Sequence, residues 1–155
     1  MLAIAQGAGQ RGALNLAGIE ESEIAGGDSV AVPGVFNPTT NLDCVLSLLS
    51  SAQPLKNPAP VHLHIGTADI PAEVRLFDRD LLKPGTSTFA RIIMRSPLLA
   101  IPGDRFIIRR FSPVVTIGGG TILDIGVPRM TRVQIYNRLE RLHESSPAAR
   151  VRLLV

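Results

Sequence analysis

Val61-His62-Leu63-His64-Ile65 alternates without a break: Val61, Leu63 and Ile65 fall on one side of an extended chain, His62 and His64 on the other. A period of two belongs to a strand with one buried face, since a helix would bring apolar residues round every three or four positions. Phe89–Arg95 alternates in the same way and puts Arg91 and Arg95 on its polar side. Between and beyond them the pattern repeats with short runs: Asp43–Leu49, Glu73–Phe77, Arg105–Arg110 and Thr121–Asp124 read as strands. Lys83-Pro84-Gly85 and Pro102-Gly103-Asp104 punctuate them as turns. Gln53–Pro60 carries three prolines and is predicted to be a loop. Short strands at this spacing, with no helices between them, argue a barrel or sandwich.

Upstream, Ala13–Ala17 and Ser29–Val32 are short apolar runs on either side of an acidic turn, Glu20–Asp28, and Pro33-Gly34 and Asn37-Pro38 read as a linker. Downstream, Thr131–Glu144 changes character. Thr131 and Gln134 form a capping-box pattern, Val133, Tyr136, Leu139 and Leu142 recur at helical spacing, and Pro147 follows. One amphipathic helix is expected there, with an apolar stripe that requires a partner.

Composition narrows the function classes. No stretch approaches the ~20 apolar residues of a membrane span, and no signal peptide is visible, so a cytoplasmic protein without a membrane partner is expected. The one cysteine, Cys44, cannot form an internal disulfide, and its neighbours Val45 and Leu46 suggest a buried strand thiol. Net charge is +3, unevenly placed: residues 1–88 hold 5 Lys/Arg against 9 Asp/Glu, residues 89–155 hold 11 Arg against 4 Asp/Glu. An arginine-only basic half suits phosphate contact, and equally a set of solvated strand faces.

No catalytic centre is evident. There is no phosphate-cradling G-x-x-x-x-G-K-[ST] run, so GTP binding is not expected of this chain, and no nucleophile elbow. Gly118-Gly119-Gly120 lacks the lysine and following helix of such a loop and reads as a tight bend or a close approach of backbones. His62 and His64 share a strand face, a spacing some zinc sites use. Asp69 and His143 are the only loose further ligands, so no metal is assigned, and a small metal-dependent enzyme stays as an alternative. Glu21 and Glu23 read as an acidic surface turn.

The order of several blocks resembles elongation factors of the Tu class. Gly9-Gln10-Arg11-Gly12-Ala13-Leu14-Asn15-Leu16, Glu23-Ile24, Gly27-Asp28 and Val32-Pro33-Gly34 look like the end of that class's second barrel. Gly66-Thr67-Ala68-Asp69, Leu82-Lys83-Pro84-Gly85 and Pro102-Gly103-Asp104-Arg105-Phe106-Ile107-Ile108-Arg109 look like its third. Val61-His62-Leu63-His64-Ile65-Gly66-Thr67-Ala68 and Phe111–Asp124 are similar to the selenocysteine-specific member, although an ordinary Tu-type barrel stays open as an alternative.

The resemblance implies an all-β fold: a closed antiparallel β-barrel over residues 37–126, a partial second β-barrel over 1–36, and a helical linker over 127–155. It implies a GTPase domain, with its GTP and Mg, before Met1 and winged-helix domains after the linker, leaving no cofactor and no catalysis in this part. The implied partners are selenocysteyl-tRNA and the ribosome. The implied tRNA-binding residues are Arg11, Glu23, His64, Gly66, Thr67, Arg91, Arg109 and Arg110. By resemblance, Glu23 would pack on the terminal adenine and Arg11 would favour an ionised selenol. Ordinary Tu proteins have an acidic residue and glycines where this chain has Arg110 and Phe111, so that contact would be made differently.

Overall fold

A computed structural model describes residues 16–126, 130–145 and 149. Eight strands and two helical segments follow in order: a 3-10 turn at Glu21–Glu23, then β1 (Thr39–Leu48), β2 (Leu55–Lys56), β3 (Ala59–Ile65), β4 (Ala68–Leu76), β5 (Leu81–Leu82), β6 (Ser87–Leu98), β7 (Arg105–Arg109), β8 (Thr116–Ile125) and α1 (Arg132–Glu144). Six strands close an antiparallel barrel in the order β1-β6-β4-β3-β7-β8, and β1 completes it by pairing with both β6 and β8. The small second sheet is β2 with β5.

Alternation sets the barrel's inside and outside. Leu42, Cys44 and Leu46 of β1, Val61 and Leu63 of β3, Val74 and Leu76 of β4, Ile92 of β6, Ile108 of β7 and Ile122 of β8 meet in an aliphatic core. His62 and His64 stand half-buried on the outer face, as their alternation requires. The Cys44 thiol is buried and donates to the Ala90 carbonyl at 3.3 Å.

Gly118–Gly120 form the middle of β8 and make no bend there. They serve the close approach instead: a Cβ on Gly119 would lie 2.5 Å from the Phe106 carbonyl, and one on Gly120 would overlap the Val45 carbonyl. Only glycine lets β8 sit this tightly between β1 and β7.

The Pro-rich stretch differs from its expectation. Leu55–Lys56 pair with β5, and Ala59-Pro60 open β3 rather than ending a loop. Pro60 lies beyond His62–Ile65, the part of β3 that β7 pairs with, so on that side there is no ladder bond for its missing N–H to break.

Of the expected N-terminal partial barrel, residues 1–15, including Arg11, lie outside the described residues. Residues 16–38 hold the 3-10 turn and otherwise form no strand among the described residues, so Ser29–Val32 is not the strand its apolar run suggests. Gly27 packs against Ala68 at the start of β4.

Helix α1 begins as its capping box predicts. The Thr131 hydroxyl accepts from the Gln134 N–H, and the Gln134 side chain accepts from the Thr131 N–H at 2.9 Å. Its buried stripe is Ile135, Leu139 and Leu142, with Tyr136 half-buried, while Val133 is 69% exposed. Successive steps of three each lag a full turn by about 60°, so Val133 ends opposite Leu142. Steps of four and three keep Ile135, Leu139 and Leu142 on one side. The stripe packs on Phe89 and Leu123, on the outside of the barrel, and Phe89 meets Tyr136 edge to face at 5.2 Å.

Candidate nucleic-acid interface

The anticipated binding residues separate into groups. Arg91 is held inward: its Nε and Nη2 donate to Asp43 Oδ1 and Oδ2 at 2.7 and 2.8 Å, and its guanidinium lies 5.7 Å from the centre of the Phe77 ring. Asp43 is buried beneath α1 and sits opposite Asp124 on β8. Arg138 of the helix donates to Asp124 at 2.6 Å. Two acids and two arginines thus form a neutral cluster that ties β1, β6, β8 and α1 together. Burial pushes the Asp43 carboxyl above its usual range, although the Arg91 hydrogen bonds pull it down; the same bonds push the Arg91 guanidinium up. This arginine neutralises a buried acid, and Arg75, its direct partner on β4, is paired in turn with Glu73.

Glu23 is exposed, and its carboxylate accepts from the Glu20 N–H at 2.8 Å, closing its own turn. Gly66, with φ +56°, and Thr67 form the β3–β4 turn. They line a groove of about 450 Å³ whose other side includes Gly27, Ser29, Val32 and Phe36, so the chain's own N-terminal segment faces this turn.

His64 and Arg109 come together on the outer face of β4, β3 and β7, and Arg110 follows at the end of β7. Arg109, His62 and Pro71 are direct partners across three strands, as are Ile107, His64 and Asp69 in the next row. His62 Nδ1 lies 3.0 Å from Asp69 Oδ1, and His64 Nε2 lies 3.5 Å from the same oxygen. Arg110 donates to the Gln53 side chain at 2.5 Å. Arg109 reaches the Val114 carbonyl at 3.5 Å, and its Nε is buried without a hydrogen-bond partner.

Of this face, sequence reading passed over Arg75, and it named Phe111 only beside Arg110. The Phe111 ring rests 4.1 Å from that of His62 and is 43% exposed. With Pro60, Pro71 and Ile93 it lines a groove of about 460 Å³ that also takes in Glu73, Arg75 and Arg95. Arg75 pairs with Glu73 at 2.6 Å, and Arg95 is exposed on the far side. Alternation had marked Arg95 as outward, but neither Arg75 nor Phe111 carried a local signal that joined it to the histidines. No group of three or more His, Cys, Asp or Glu side chains among the described residues could hold a metal.

A closed six-stranded antiparallel barrel with a helix packed on its side is a barrel of the kind translation factors carry. The beta-barrel domain of selenocysteine-specific elongation factors matches residues 42–129, and the chain belongs to that family. It is 39% identical over 118 residues to the selenocysteine-specific elongation factor of Desulfomicrobium baculatum, covering 76% of this chain and 19% of that protein. Its identity to the factor of the same name from Haemophilus influenzae is 30% over 123 residues, covering 79% and 19%. With that of Escherichia coli K12 it is 29% over 123 residues, covering 79% and 18%. The chain spans about a fifth of the length of these relatives.

Proposed function

We propose that this barrel holds selenocysteyl-tRNA by the backbone of a duplex stem, as part of a factor that delivers it to the ribosome, and that it does so without catalysis or a cofactor of its own. The observation that supports this is the outer row of strands that carries Arg109 beside His62 and Pro71, with Arg95 at the groove that Pro71 lines and Arg110 next in sequence, while Arg75 is paired with Glu73 and Arg91 and Arg138 are neutralised by buried acids. A-form RNA hides its base edges in a deep major groove, so a stem is gripped through phosphates by cations at fixed spacing. Arg95, Arg109 and Arg110 supply three such guanidiniums, with His64 beside them. In this reading residues 1–36 complete a preceding barrel, 37–126 are the gripping barrel, and 127–155 lead toward a further domain. Arg11 and Glu23 would then serve the aminoacylated end of the tRNA, and Gly66 and Thr67 the junction with the N-terminal segment.

The test is a salt titration of binding to an acceptor–T-stem minihelix. Arg95→Ala and Arg110→Ala should each weaken binding and reduce the logarithmic salt slope by about 1. Absence of binding even at low salt, or unchanged slopes in both variants, would reject the phosphate grip.

A further inference from the structure

We infer that the groove walled by Phe111 is a slot for one unpaired nucleobase, set beside the phosphate-gripping arginines. Its lining is about half apolar, from the Phe111 ring, the two proline rings Pro60 and Pro71, and Ile93, and about half polar. Its volume of about 460 Å³ leaves room for a purine nucleoside. Glu73 lies on the lining with one carboxylate oxygen held by Arg75 and the other left as an acceptor for exocyclic amino groups, and Arg95 stands at the same groove as a cation for the attached phosphate. An aromatic ring beside two prolines, one acceptor and an adjacent guanidinium are the complement of a nucleotide, and an aliphatic ligand would leave the charged rim without a function.

Phe111 is not a loose side chain on a loop. One side of it meets His62 at 4.1 Å, and His62 is oriented by Asp69, whose same carboxylate oxygen lies 3.5 Å from His64. A chain of contacts from β3 and β4 therefore braces the ring from behind, while its exposed area lines the groove. Bracing matters because a stacking platform that must first be ordered loses part of the stacking energy to side-chain entropy. This also gives the His62–Asp69–His64 cluster a role that neither metal binding nor phosphate contact supplies.

The inference rests on the RNA reading, so its test separates the two. Two RNA duplexes are compared, one fully paired and one carrying a single unpaired 2-aminopurine. The chain should bind the second about tenfold tighter or more, the scale of one base–aromatic stack, with quenching of the fluorophore. Phe111→Leu, which keeps an apolar side chain without the ring, should abolish the quench and the preference while leaving paired-duplex affinity within about twofold. In parallel, adenosine 5′-monophosphate should shift the amide resonances of His62, Ile93 and Phe111. Equal affinity for the two duplexes, with no quench and no nucleotide-induced shifts, overturns the slot and leaves the phosphate grip standing. Shifts with the mononucleotide but no duplex binding would overturn the phosphate grip and keep the slot.

Discussion

Arg91 and Asp43, 48 residues apart in sequence, are direct partners across β1 and β6 and share two hydrogen bonds at 2.7 and 2.8 Å. The acid is 1% exposed and the arginine 25%. Removing the arginine leaves a buried carboxylate facing Asp124, so Arg91→Ala should destabilise the barrel by about 3 kcal/mol, the bottom of the range for broken buried pairs because Arg91 keeps some water contact. Urea midpoints measure this. RNA salt slope should not change in the same variant, whereas Arg95→Ala should lower the slope and leave the midpoint alone.

Acid stability should depend on Asp78. Its carboxyl is held below the ordinary range near 3.8 by the Arg79 hydrogen bond first and also by Thr88, whose hydroxyl donates at 2.8 Å. A lowered folded-state value means the carboxylate adds stability above the unfolded value and loses it as pH falls through the folded one. Asp43 has the opposite sign: a raised value adds stability below the unfolded range, lost as pH rises through the folded value. Asp78→Asn should therefore flatten the loss of stability below about pH 4, read from thermal midpoints across pH 2–6. A loss as steep as in the unaltered chain would show that other carboxylates govern acid unfolding.

Cys44 should be inert in the folded protein. Burial pushes its thiol far above the usual range, the neighbouring Asp43 charge adds to this, and the thiolate is the reactive form. An aromatic disulfide reagent should label nothing at pH 8 in buffer and one thiol per chain in strong denaturant. Fast labelling without denaturant would mean that β1 leaves the barrel readily.

The three glycines of β8 should be far less replaceable than those of the turns. Gly120→Ala places a methyl against the Val45 backbone carbonyl, which no rotamer change relieves. A cost of at least about 2 kcal/mol is expected, as for overpacked cores. Gly66→Ala meets no atom within 4 Å and carries only the left-handed backbone penalty, about 1 kcal/mol. Denaturation midpoints should rank the two in that order.

Helix α1 should behave as part of the barrel. Leu139 is fully buried against the cluster containing Phe89 and Leu123, so Leu139→Ala should cost about 2–5 kcal/mol, and Thr131→Ala, which removes the cap, about 1. Circular dichroism during urea unfolding should show helix and barrel melting together. A separate early helical transition would contradict the docking.

Local period was enough for β3, β6 and the helix cap, because each is decided within a few residues: His62 and His64 against Leu63, Thr131 against Gln134. Arg91 and Arg95 looked alike for the same reason, sharing a face of one strand. What distinguishes them is Asp43, brought in by strand pairing that no local pattern encodes. The groove was hidden in the same way, since Phe111, Pro71 and Arg95 come from β4, β6 and the β7–β8 connection. The helix stripe was misread at Val133 because spacing alone does not say which of two neighbouring apolar lines the barrel will cover.

Closure of the barrel by its first strand has a consequence for synthesis. Thr39–Leu48 pairs with Ser87–Leu98 and with Thr116–Ile125, both made later. At about 5–20 residues per second, roughly 2–8 s pass between completion of β1 and the start of its first partner. During that time Leu42, Cys44 and Leu46 have no sheet to enter, and the nascent strand is a natural client for a chaperone that shields short apolar segments. Force profiles from stalled ribosomes should show little pulling until β6 has emerged and a single strong pull once β8 follows, the moment at which the ring of strands becomes continuous.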